Sequence, residues 1–115
     1  IRNNRYQSYE WFRHSPGNSR SLVNDQVHDV IEDSEGDLWF ATSNGISLLQ
    51  PAVGRWRSFL SRSDGIQDGG NHIFLTLCEV SPGVICAGGY ASGLYRIEKK
   101  TGRVEYFPPS FAEVV

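Results

Sequence analysis

Three small groups of residues have the types and spacing to do chemistry. His28 adjoins Asp29, and Asp68 lies four residues before His72; a histidine beside a carboxylate is the minimum for general acid–base work. Glu32 and Asp33 set two carboxylates side by side, and Cys78 and Cys86 are the 2 cysteines of the chain. Each group also has a plainer reading. Adjacent residues on a strand point to opposite faces, so His28 and Asp29 do not pair there, whereas Asp68 and His72 share one loop and can. Asp33 stands where a hairpin turn opens, and its carboxylate suits the backbone amides of that turn. No Gly-x-Ser-x-Gly elbow and no Cys/His pair supplies a nucleophile. The nearest further ligand to the cysteines is His72, too little company for a metal. No catalytic residue, metal or cofactor is therefore assigned.

The elements that hold these residues must come from a chain of 115 residues, the size of one ordinary domain. A 39% hydrophobic fraction, with 3 Trp, 5 Tyr and 6 Phe against 21% charged residues, excludes intrinsic disorder. With 11 basic and 13 acidic residues the net charge is -2, too balanced for a nucleic-acid footprint. Apolar runs are only a few residues long, so no bilayer span and no membrane contact by this segment are expected. The opening IRNNRYQSYEWF puts Arg, Asn and Gln where a signal peptide has its apolar stretch, and so reads as a mature or excised segment.

The main signal is an internal repeat. Val30 to Phe59 aligns with Thr76 to Phe107: Ile31 falls on Leu77, Asp33 on Glu79, Gly36 on Gly83, Leu38 on Ile85, Gly45 on Gly93 and Gly54 on Gly102. The offset drifts only from 46 at Ile31 to 48 at Phe59. Each copy divides into four short runs rich in Val, Ile, Trp, Phe and Tyr, as strands prefer. In the first copy they are Val27–Asp33, Leu38–Thr42, Gly45–Gln50 and Arg55–Leu60; in the second, Ile73–Val80, Val84–Gly88, Gly93–Glu98 and Arg103–Phe107. The connections SEG, SNG and PAVG, then SPG, YASG and KKTG, are hairpin turns. Val27, Val30 and Ile31 also have helical spacing behind an N-cap at Asn24 or Asp25. The second copy alternates at that place, however, and Gly36 comes too soon for a stable helix, so a strand is expected.

Four antiparallel strands in about 47 residues is the size of one β-propeller blade, between the WD-type and kelch repeats. Blades stack face to face, which accounts for LWF and ISLL being apolar on consecutive residues. The expected fold is all-β, an incomplete propeller segment. Residues 1–22 form the outer strand of a preceding blade (Tyr6–Arg13) and a linker, 23–62 one blade and 63–109 a second. Residues 110–115, with Phe111–Val115, start another blade or form a tail. Propellers need about 4–8 blades, so the chain reads as a piece of a longer protein, with closure by homodimerisation as the alternative.

The string SLVNDQVHDVIEDSEGDLWFATSNGISLL resembles the two-component regulator propeller repeat, through Val27, Ile31, Glu32, Asp33, Gly36, Leu38, Trp39, Thr42 and Gly45. The second copy departs from it, with Cys86 in place of the Trp and Glu79 the only acid of the Glu-Asp pair. The resemblance implies the periplasmic, extracytoplasmic sensor half of a hybrid two-component histidine kinase of the kind found in Bacteroidetes. There such repeats sense oligosaccharides released from glycans and signal to gene regulation. The implied partners are an oligosaccharide or other small ligand, and the remaining blades and kinase of the same chain. Two alternatives stand beside it: a streptogramin-lyase-like propeller enzyme, and a scaffold propeller that binds proteins.

Propeller ligands usually meet the loops between blades and those joining second to third strands. Here these are Leu22–Gln26, Thr42–Gly45, Ile66–His72 and Gly89–Gly93. They offer Asn24, Asp25, Gln26, His28, Asn44, Asp68, Asn71, His72, Tyr90 and Ser92. Planar hydrogen-bonding groups with the Tyr90 ring suit a hydroxyl-rich ligand, although turns require Asn, Asp and Gly in any case. Trp39 is expected to pack between blades. Cys78 and Cys86 face each other across their hairpin and are expected as free thiols, small buried hydrophobes, with a disulfide sterically conceivable.

Overall fold

The computed structural model describes residues 22, 26–61 and 72–108. They form eight strands: β1 (Val27–Glu32), β2 (Leu38–Thr42), β3 (Gly45–Gln50), β4 (Arg55–Phe59), β5 (Phe74–Ser81), β6 (Val84–Gly89), β7 (Gly93–Glu98) and β8 (Val104–Phe107). All pairings are antiparallel, and strand order follows chain order in two sheets, β1-β2-β3-β4 and β5-β6-β7-β8. Among the described residues there is no helix, and the segment around Val30 is strand, as the second copy indicated. Three strands match their expected bounds; β5 shifts by one residue at both ends and the other four by one residue at one end. β4 stops at Phe59 because Leu60 takes a positive φ of 61°, a region that bends an L-residue out of the ladder. The expected strands at Tyr6–Arg13 and Phe111–Val115 lie outside the described residues.

Two positions show why the turns need glycine. Gly45 has φ +94°, and a Cβ there would stand 2.8 Å from the Phe59 carbonyl oxygen. Its counterpart Gly93, at φ +104°, is pressed in the same way against the carbonyl of Phe107. Both therefore combine a left-handed backbone with a close approach of another strand's main chain, which only glycine tolerates.

The sheets pack face to face. Trp39, Ala41, Ile46, Leu48 and Phe59 of the first sheet meet Leu77, Ile85, Ala87, Tyr95 and Ile97 of the second in one buried cluster. Trp39 is 0% exposed and stacks on Phe59, ring centroids 5.6 Å apart. The other face of the first sheet holds Phe40 and Leu49 against Leu22, flanked by Val30, Leu38 and Trp56. β2 and β3 are thus buried on both sides, the physical reason their apolar residues run consecutively. Polar bonds stitch the same seam. The Leu77 amide donates to Asp29 Oδ2 at 2.9 Å, and Ser34 donates through its amide and its hydroxyl to Glu79, both at 2.9 Å.

The second sheet does not repeat this layout on its far side. Cys86, the counterpart of Trp39, lies in a row of register partners, Cys78, Cys86, Arg96 and Glu105. Partners in an antiparallel ladder share a face, so the face that carries Trp39 and Leu48 in the first sheet is mostly polar here. Arg96 and Glu105 form an ion pair at 2.7 Å. The expectation that both cysteines are small buried hydrophobes is corrected: both are free thiols, but Cys78 is exposed and Cys86 half-buried. The cause is their position on this outward face and not in the seam.

Candidate ligand-binding face and the opposite ion cluster

A four-stranded meander sends its β2–β3 turn and its entry and exit segments to one end, and its two other turns to the opposite end. Of the expected site residues, the described ones that lie at the first end are Gln26, His28, Asn44, His72, Tyr90 and Ser92. The Ser43 amide donates to the Gln26 carbonyl at 3.0 Å, the Gly45 amide to the His72 carbonyl at 2.7 Å, and the Tyr90 amide to the Ile73 carbonyl at 2.9 Å. In both sheets the β2–β3-type turn is therefore bonded to the chain segment entering a sheet. Such main-chain bonds fix the loops without using the side chains.

Among the side chains, His28 is exposed, with Nε2 at 2.8 Å from Ser43 Oγ. His72 is half-buried, and its Nδ1–H donates to the Leu60 carbonyl at 2.7 Å. A neutral His72 so held has Nε2 as its acceptor. Asn44 is half-buried in the first turn, its amide on Thr42 Oγ1 at 3.0 Å. Tyr90 is 57% exposed, with its ring presented to solvent. Ser92 lies beneath the second turn at 5% exposure, its Oγ packed against Gly89 and without a hydrogen-bond partner among the described residues. Asn24, Asp25, Asp68 and Asn71 lie outside the described residues, so the Asp68–His72 arrangement falls there too. His28 and Asp29 do point apart: Asp29 is committed to the amides of Val30 and Leu77.

The opposite end holds a cluster that the sequence reading saw only in part. Asp33 caps its turn as expected, Oδ1 accepting from the amides of Glu35 at 2.9 Å and Asp37 at 3.0 Å. Its Oδ2 accepts from the Trp39 indole N–H at 2.9 Å. The remaining partner comes from the other sheet: Lys99 Nζ donates to Asp33 Oδ2 at 2.7 Å and Asp37 Oδ2 at 3.0 Å, and also reaches Glu35. Gln50 Nε2 completes Asp37 at 3.2 Å. Burial alone raises the Asp33 carboxyl, but bonds from Lys99, Trp39 and the two amides outweigh it and hold the group below its ordinary 3.8. Burial likewise lowers the Lys99 ammonium, and its bonds to Asp33, Glu35 and Asp37 reverse that, leaving it above its ordinary 10.5. The three carboxylates lie within 4.8 Å of one another, with the ammonium of Lys99 as their cation.

Known proteins bear on this geometry at two points. Residues 21–44 match the family model described as two component regulator propeller. That stretch holds the capped Asp33 turn and Trp39, the residues that build the seam. Nine chains of known structure also match. One is described as the extracellular domain of a putative hybrid two component system from B. thetaiotaomicron, with a TM-score of 0.72 at 21% identity over 90% of this chain. The described residues form two β-propeller blades. These blades span 14% of the length of that extracellular domain. No curated protein matches the sequence significantly.

Proposed function

We propose that these blades belong to the extracytoplasmic, periplasmic sensor propeller of a hybrid two-component histidine kinase, and that its ligand is a glycan-derived oligosaccharide. The observation that carries the reading is the likeness to an extracellular domain of such a system over 90% of this chain, with a regulator propeller repeat at residues 21–44. The end formed by the Thr42–Gly45 and Gly89–Gly93 loops supports the ligand class. It offers an exposed aromatic ring at Tyr90, and hydrogen-bonding groups at Gln26, His28, Asn44 and His72, on loops whose backbones are already held. Sugars need an apolar face to stack on and planar polar groups for their hydroxyls. Rigid blades then act as a lever: occupancy biases the orientation of the propeller relative to its neighbouring domains, a two-state shift carried on to the kinase.

The test is calorimetric titration of the full-length protein with a panel of oligosaccharides released from complex glycans, repeated with Tyr90→Ala. The expected result is saturable binding by at least one oligosaccharide, weakened at least about tenfold, or about 1.4 kcal/mol, in the variant. Thermal unfolding of the variant stays unchanged because the ring is on the surface. Undiminished affinity in Tyr90→Ala removes this face from the site, and the absence of binding by any member of the panel overturns the ligand class.

A further inference from the structure

Three cations meet where the two blades join, with no carboxylate to pair them. Arg55 and Arg57 stand two residues apart on β4, the last strand of the first sheet. They are register partners of Gln50 and Leu48, so they share the face of Leu48, which is turned to the second blade. Alternate positions on a strand lie about 7 Å apart, close enough for two guanidinium groups to hold one anion. Arg57 is half-buried and pinned. Its Nη1 donates to the Lys99 carbonyl at 3.0 Å, and the group lies over the Phe59 ring, 5.1 Å from the centroid. A Cβ on Gly102 would stand 3.5 Å from Nη2, so the β7–β8 turn closes against the guanidinium. Lys100 begins one bond beyond the carbonyl that Arg57 holds. The Lys99 side chain turns inward to Asp33 and Asp37, whereas Lys100, like Arg55, is exposed. Both walls of this corner, β4 and the β7–β8 turn, belong to the described blades. Its exposure is therefore set by them and not by what packs on their far faces.

Two observations point to an oxyanion as the partner. The carboxylates around the corner are already engaged: Asp33, Glu35 and Asp37 with Lys99, and Glu98 with the Thr101 hydroxyl. Among the described residues neither Arg55 nor Lys100 has a hydrogen bond or an ion pair, and Arg57 has no carboxylate. Burial, and then the like charge of Arg55, push the Arg57 guanidinium below its ordinary value. The second observation is the other copy of the repeat. There Arg103 and Glu105 stand where the first blade has Arg55 and Arg57. Glu105 takes Arg96 at 2.7 Å and Arg103 at 3.8 Å. The second blade thus carries its own carboxylate at this place, and the first puts a second arginine there.

We propose that Arg55, Arg57 and Lys100 form a binding site for a phosphate group, either the free ion or a small phosphate ester, on the outer strand of the seam. The planar fork of a guanidinium meets two oxygens of such a group at once. Arg57 keeps most of its N–H donors after the Lys99 bond, and Arg55 keeps all of them. Three cations suit a group of double charge better than a single carboxylate. The bound group ties β4 of one blade to a turn of the next, so occupancy tightens the seam. The site lies at the end opposite the Thr42–Gly45 and Gly89–Gly93 loops and does not rest on the oligosaccharide reading.

The experiment labels the full-length protein with phenylglyoxal, which modifies accessible arginines, and reads each position by proteolysis and mass spectrometry. The probes are inorganic phosphate and glycerol 3-phosphate, with ionic strength held constant by sodium chloride. Phosphate should shield Arg55 saturably, cutting its labelling at least about fivefold, and leave Arg103, which has Glu105, unchanged. Lys100→Gln, an exposed substitution, should raise the half-protecting concentration at least about threefold. A lower half-protecting concentration for glycerol 3-phosphate assigns the site to an ester, and any other order assigns it to the free ion. Labelling of Arg55 that neither probe changes overturns the proposal. Equal shielding of Arg103 does so too, since that is general screening, and unaltered protection in Lys100→Gln refutes the three-cation site.

Discussion

Replacing Lys99 by methionine keeps the stem of the side chain and removes only the ammonium. The Asp33 side chain is then left at 0% exposure, still bonded to the Trp39 indole and two amides, but facing Asp37 with no cation between them. Glu35 is 59% exposed and contributes little, since water already screens it. Removing one partner of a buried pair costs about 3–5 kcal/mol, because the other charge stays uncompensated. Three retained donors favour the lower end, about 3 kcal/mol, a large share of a typical total of about 5–15 kcal/mol. Equilibrium urea unfolding of the full-length protein, followed by tryptophan fluorescence, measures it. With an m-value of about 1–3 kcal/mol/M, the midpoint of the blade transition should fall by at least about 1 M at neutral pH. Acid supplies an internal check. In the wild type the Asp33 contribution is complete above 3.8 and is lost as pH drops through the depressed folded value. The Lys99 contribution is complete below 10.5 and is lost only as pH rises through its elevated folded value. In the variant the Lys99 bond no longer helps to hold Asp33 down, so its carboxyl is less depressed than in the wild type and the gap between the two narrows on acidification. A midpoint within about 0.3 M of wild type, or a gap that widens in acid, would refute this account of the cluster.

Two further predictions probe the same fold. Gly45→Ala, with φ +94° and backbone of Phe59 and Ser61 within 2.9 Å of the new Cβ, should lose more than about 2 kcal/mol in urea unfolding. Gly54→Ala, at φ +63° with open space around it, should lose only about 1 kcal/mol, the left-handed penalty alone; equal losses would contradict the close-approach argument. Trp39→Phe removes the indole donor from buried Asp33 and should cost about 1–3 kcal/mol. Its effect should be non-additive with Lys99→Met, because both side chains bond Asp33 Oδ2, as a double-mutant cycle will read.

Most of the strand layout was legible because the chain states it twice. Turn glycines at matched places, and consecutive apolar residues in LWF and ISLL, are local signals of hairpins buried on both faces. The role of Asp33 was readable for the same reason: its capped amides belong to its own turn. Lys99 was not, because its partners lie 62 and 66 residues away and nothing in KKTG distinguishes a buried cation from a turn lysine. The one available hint was asymmetry between the copies, Lys99 standing opposite Pro51 while three acids cluster only in the first. At the end that carries the candidate loops, loop positions followed from topology, but side-chain exposure did not; Ser92 proved buried and Tyr90 open. The cysteines were placed correctly across their hairpin yet expected to be buried, since a residue's face follows from the ladder while its cover depends on what packs there.

The blades pair their own strands in chain order, so every ladder closes between neighbours along the sequence. The bonds across the seam join residues far apart: 66 for Lys99 with Asp33, 48 for Leu77 with Asp29 and 45 for Ser34 with Glu79. Chains assemble faster when their contacts are local, because little loop entropy is spent before contacts form. Each blade can thus gather itself before docking on the next. Interactions formed after the rate-limiting step scarcely alter how quickly a protein folds, but they slow its escape. The buried ammonium therefore acts as a latch, setting how long two assembled blades stay together.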